Sequence, residues 1–148
     1  MPNWILNKLH ITGSAKQREI FREAARCVHN TDKESKPITY DLQFSSFFPP
    51  PPLKRLKIIL AHDLDPAYPI VMKWQTRNWG CKWDIIDART LLSITKSSLV
   101  YKFTTAWAPP AEFVRRASLL YSDLHFSLHS MLSDGTRCIQ KFAAGHYV

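Results

Sequence analysis

Hydrophobic and polar positions alternate from Trp4 to Thr12, with Asn7, Leu9 and Ile11 on one side and Lys8, His10 and Thr12 on the other. A period of two is that of a half-buried strand. Gly13-Ser14 ends it, and Ser14 can cap a helix running through Ile20, Phe21, Ala24, Ala25 and Val28. Residues 30–37 are polar and charged, so they read as a loop. Alternation returns from Ile38 to Phe48 and predicts a second strand, with Tyr40, Leu42 and Phe44 inward and Asp41 and Gln43 outward.

Pro49 to Pro52 must stop that strand, because proline cannot donate to a ladder and favours an extended, unpaired backbone. The run reads as a stiff connector. Leu53 to Leu64 is a short helical or irregular stretch carrying Lys54, Arg55 and Lys57. Tyr68 to Arg77 reads as a helix leading into Asn78-Trp79-Gly80-Cys81-Lys82-Trp83, where Gly80 permits a turn. Together, residues 49–83 form a tryptophan-containing insertion.

Strand patterns resume after Asp84. Ile85 to Ile94 and Leu99 to Trp107 predict a hairpin, with Leu99, Tyr101, Phe103, Thr105 and Trp107 on one face and Lys102 and Thr104 on the other. Pro109-Pro110 opens a helix with Phe113, Val114, Ala117, Leu120 and Tyr121 on its inner stripe. A last hairpin pairs Leu124 to Leu132 with Arg137 to Tyr147 across Ser133-Asp134-Gly135. These elements contain a βαββαβ core, so the expected fold is one α+β domain over 1–148. It is a ferredoxin-like sandwich with helices on one sheet face, plus the insertion and an extra C-terminal strand.

Composition sharpens this only modestly. The formal charge of +8 and pI near 9.6 favour a polyanionic or acidic partner. Cys27, Cys81 and Cys138 are odd in number and have no zinc-ligand spacing, which predicts free thiols in a reducing cytoplasm. No signal peptide pattern or membrane-length apolar run is visible. Neither a metal nor a cofactor is expected.

Three segments carry a resemblance: Met1-Pro2-Asn3-Trp4 with Asn7; Asn78-Trp79-Gly80-Cys81-Lys82-Trp83-Asp84; and Thr105-Ala106-Trp107-Ala108-Pro109-Pro110. With the tail Phe142-Ala143-Ala144-Gly145, the chain resembles the YubB-like, ferredoxin-like family of small proteins from plasmids, phages and bacterial genomic islands. Cys81 stands where that family commonly has threonine. The resemblance implies a bacterial protein that acts on host machinery or defence, as an anti-CRISPR or related inhibitor does, with no iron–sulfur cluster.

The residues themselves offer three chemistries. The first is binding: Lys54, Arg55, Lys57, Lys73, Arg77 and Lys82 could line a basic groove with Trp79 or Trp83 as stacking plates for nucleic acid. The alternative for the tryptophans is structural, with Trp79, Trp83 and Trp107 packed together over the sheet and Lys82 between indoles. Trp4 alone among aromatics is expected on the open sheet face, which argues against a platform of stacked rings there. Asn7 and Asn78 are expected to satisfy local backbone groups.

The second chemistry is phosphoester cleavage. His10-Ile11-Thr12 and His125-Phe126-Ser127 are two H-x-[S/T] triplets on predicted strands, the pattern in which two imidazoles trade a proton while hydroxyls hold a phosphate. The third, a metal held by His10, His125 and His129, has no acidic or cysteine partner at ligand spacing. The reading adopted from sequence is a non-catalytic binding protein with a host protein or nucleoprotein as partner. Direct nucleic-acid binding and the phosphoesterase are its alternatives.

Overall fold

A computed structural model describes residues 3–30, 35–60 and 69–148. Its centre is a six-stranded antiparallel sheet built from β1 (Trp4–Thr12), β4 (Leu91–Ile94), β5 (Ser98–Ala106), β6 (His125–Met131), β7 (Arg137–Ala143) and β8 (His146–Tyr147), in the order β4-β5-β1-β6-β7-β8. The fold is therefore α+β. Helix α1 (Ala15–Ala25) follows β1 and α4 (Ala111–Leu120) follows β5, so each lies between two strands that are not neighbours.

Both helices cover one face. Phe21 of α1 meets the rings of Tyr101 and Phe126 at 6.3 and 5.6 Å, and Phe113 of α4 meets Phe44 at 4.4 Å. The strands answer with Ile5, Leu9, Ile11, Leu99, Phe103, Leu128 and Phe142, all buried. Helix α3 (Ile70–Trp79) packs on α4, and α2 (Leu53–Ile59) packs on α3. They add Leu56, Trp74 and Trp79 to the same core. Among the described residues, no helix lies on the opposite face.

Several predicted elements differ in the structure. The strand expected over residues 38–48 is only β3 (Ile38–Tyr40), paired with β2 (Cys27–His29) in a separate two-stranded sheet. Val28, expected on the first helix, is the middle residue of β2. Leu42 and Phe44 are buried as foreseen, yet Phe44 begins a 3-10 turn through Ser46. The Asp84 carboxylate accepts from the N–H groups of Phe44, Ser45 and Ile85 at 2.7, 3.0 and 2.8 Å. That acceptor takes bonds a ladder would need, and the place beside β5 goes to β4 instead.

Trp107 lies past the end of β5, 48% exposed with φ of 73°, so it is not on the inner face. Leu120 is also exposed, and Ser118 takes its position on the buried side of α4. Tyr68, residues 61–64 of the predicted basic stretch, residues 31–34 of the predicted loop, and Met1 and Pro2 lie outside the described residues.

Gly80 caps α3 at φ of 88°, and a Cβ there would sit 3.1 Å from the backbone nitrogens of Ala111 and Glu112. The glycine is thus required twice over, for its left-handed conformation and for the close approach of α4. Asn7 is fully buried. Its amide nitrogen donates to the Thr105 hydroxyl at 2.9 Å and to the Ile5 carbonyl at 3.2 Å, and its oxygen accepts from the Ser130 hydroxyl at 2.8 Å. It joins β5, β1 and β6, where sequence suggested only local bonds.

Candidate functional site

With Ile5, Asn7, Leu9 and Ile11 buried under the helices, Leu6, Lys8, His10 and Thr12 of β1 face the uncovered side. Pairing carries that side across the sheet. Lys8 lies between Lys102 of β5 and His129 of β6. Ser127 lies between His10 and Lys141 of β7, and Met131 pairs with Arg137. The open-face positions of β1, β5, β6 and β7 thus hold Lys8, Lys102, Arg137 and Lys141 with three histidines, and no Asp or Glu.

Four cations on one face create a positive potential, and no ion pair among the described residues cancels it. Lys8 and Lys102 were legible as outward residues in their strands. Their role needs the register, which sets them beside one another and beside the histidines.

The two H-x-[S/T] triplets meet. His10 pairs with Ser127 and Thr12 pairs with His125, so an imidazole faces a hydroxyl twice, in opposite order. A depression of about 240 Å³ opens over them, lined by His10, Thr12, His125, Ser127 and Lys141. His129 joins from the other diagonal: its ring lies 4.8 Å from that of His10, and its Nε2 is 2.9 Å from the Ser127 hydroxyl. Burial first, then the charges of His129 and Lys8, hold the His10 imidazole below its ordinary pKa. Among the described residues no three metal-ligating side chains converge.

The tryptophans divide into two groups. Trp79 is 1% exposed, donates from Nε1 to the Phe48 carbonyl at 3.0 Å, and packs against Trp74 at 5.7 Å. It belongs to the core and offers no surface for stacking. Trp4, Trp83 and Trp107 are 41%, 37% and 48% exposed. Trp4 and Trp83 rings lie 6.3 Å apart, and Lys82 Nζ sits 5.2 Å from the Trp107 ring. Lys82 also bridges to Ala106, which pairs with Trp4. This second group therefore closes one end of the open face.

Trp83 and Trp107 have φ of 61° and 73°, a left-handed backbone that costs a bulky residue about 1–3 kcal/mol. Local contacts hold it. Trp83 N–H donates to the Gln75 side chain at 3.2 Å, Trp107 N–H to the Asn3 carbonyl at 2.8 Å, and Thr105 Oγ1 to the Ala108 carbonyl at 2.7 Å. The strained backbone thus leaves both indoles partly in solvent.

The remaining predicted basic residues lie elsewhere. Lys54, Arg55 and Lys57 are exposed on α2 and Lys73 and Arg77 lie on α3, both on the helical side of the sheet. The groove expected from sequence is split, with only Lys82 near the open face. Asn78 bonds locally, donating to the Trp74 carbonyl at 2.9 Å, and its Oδ1 accepts from Arg116 at 3.2 Å. Cys27, Cys81 and Cys138 are free thiols, and burial pushes the Cys81 thiol far up, leaving it unreactive.

No family model and no curated protein matches this chain. A solved structure, that of a protein api92 from Yersinia pseudotuberculosis assigned to DUF1281, is similar to it with a TM-score of 0.48 at 12% identity, over 100% of this chain and 96% of that one. No helix among the described residues is long and apolar enough to cross a membrane.

Proposed function

We propose that this protein works by binding, with the open face of its sheet as the surface and single-stranded nucleic acid, free or within a host nucleoprotein, as the partner. The observation that carries the reading is the open sheet face, whose strand positions carry Lys8, Lys102, Arg137 and Lys141 and no carboxylate, with the exposed indoles of Trp4, Trp83 and Trp107 at one end. Cations follow a phosphate backbone, and exposed rings take bases by stacking, a combination that tolerates any sequence. We also take the strands β4-β5-β1-β6 with α1 and α4 as a ferredoxin-like core, on the strength of their order and the two helical crossovers.

In the mobile-element setting that the sequence resemblance implies, such a surface would obstruct host defence by occupying the nucleic acid or the site that holds it. Free thiols suit the reducing cytoplasm of a bacterial host.

Fluorescence anisotropy with short labelled oligonucleotides tests the reading. Four phosphate contacts predict a slope of about −3 for log affinity against log salt on single strands. Replacing Trp83 or Trp107 by Ala should weaken binding by about tenfold, the effect of losing one stacked base. Absence of binding to any oligonucleotide at about 50 mM salt, where electrostatic affinity is greatest, would overturn it.

A further inference from the structure

From the geometry of the open face we infer that the depression over the two facing triplets is a phosphate site, in which His10, Thr12, His125, Ser127 and Lys141 receive one phosphate group of the nucleic acid. The inference rests on the binding reading above and assigns where on that surface the anion is held.

The pairing supplies the argument. His10 opposite Ser127 and Thr12 opposite His125 place two imidazoles on one diagonal and two hydroxyls on the other. Paired residues in such a ladder stand about 5 Å apart and successive same-face residues about 7 Å apart. Four donors at those corners can reach the oxygens of a single tetrahedral anion from different sides. Lys141, paired with Ser127, adds a fixed positive charge at the rim. Beside the apolar side chains of Phe126, Phe142 and Val148, the polar lining is two imidazoles, two hydroxyls and the Lys141 ammonium, with no carboxylate side chain, a set that can donate to an anion.

His129 supports the site from outside it. When its Nε2 carries the proton, the Ser127 hydroxyl accepts at 2.9 Å and turns its own hydrogen toward the depression. Among the described residues of these strands the charged neighbours are basic: Lys8 paired with His129 and two residues from His10, Lys102 paired with Lys8, Lys141 paired with Ser127, and His146 paired with Ala143 next to His125. A bound phosphate would relieve that crowding of like charges, and protonated imidazoles would hold it more tightly than neutral ones. Affinity for a 5′-hydroxyl strand, whose phosphodiesters keep their charge, should therefore rise as pH falls through and below about 6.5.

The test follows histidine side-chain resonances while inorganic phosphate is added to the full chain. The same titration is repeated with a hexanucleotide carrying a 5′-phosphate and with its 5′-hydroxyl counterpart. Saturable shifts of His10 and His125 with phosphate are expected. A preference for the 5′-phosphorylated strand would make the ligand a terminal phosphate, and equal binding of both strands would make it a backbone phosphodiester. His125→Gln and Lys141→Gln alter exposed side chains, so folding is spared, and each should weaken phosphate binding by about tenfold. Unshifted imidazoles, or unchanged affinity in both variants, would overturn the site. Oligonucleotide binding that persists in that case would keep the broader reading, and phosphate binding without oligonucleotide binding would do the reverse.

Discussion

Tyr101 buries its hydroxyl completely, and that oxygen has no hydrogen-bond partner among the described residues. An unsatisfied polar atom costs its desolvation, so Tyr101→Phe should raise stability by about 1 kcal/mol, read as a higher denaturant midpoint. Burial, then the nearby Asp41 carboxylate, raises the phenol pKa. The native state therefore resists ionising it, and the wild type should lose stability above about pH 10 in a way the phenylalanine variant does not. His10 shows the opposite sign. Its folded pKa lies below the unfolded value, so the unfolded chain binds the extra proton and stability falls as pH drops through and below about 6.5. His10→Gln should flatten that part of the stability–pH curve; an unchanged slope would refute the assignment.

At the scale of elements, the alternating strands β1, β5 and β6 could be read from the chain because local pattern and final burial agree there. Residues 38–48 alternate just as clearly, yet only Ile38–Tyr40 pairs. What decides is the Asp84 carboxylate, forty residues away, binding the N–H groups of Phe44 and Ser45. Asp84→Ala should thus cost about 2–3 kcal/mol, since charge-assisted bonds to buried backbone are lost together. Gly80→Ala should cost about 1–3 kcal/mol through its left-handed backbone alone, with the contact to Ala111 and Glu112 adding to it. Both losses can be measured by urea unfolding. The exposed indole of Trp107 was equally hidden from pattern, because a bulky residue at positive φ defeats any alternation rule.

Over the whole molecule, positive charge is spread on both sides, and sequence alone drew attention to the helical side. The triplets were visible as motifs, but their confrontation depends on a register between strands more than a hundred residues apart. The two sides can be separated by charge reversal. Lys8→Glu with Lys102→Glu should abolish most nucleic-acid affinity, whereas Lys54→Glu with Lys57→Glu should lower it only slightly at moderate salt. Equal losses from the two pairs would show that net charge, and not the open face, sets the affinity. Both pairs are solvent-exposed, so thermal midpoints should hardly move.

Asn7 gives that register its security. A slip of β1 by one residue would turn its amide out to solvent, leave the Ser130 hydroxyl in the interior without its acceptor, and drive Lys8 and His10 into hydrocarbon. A polar side chain at the centre of the sheet thus makes the misaligned alternatives intolerable. The face that meets the outside world is kept in order by a bond no partner ever touches.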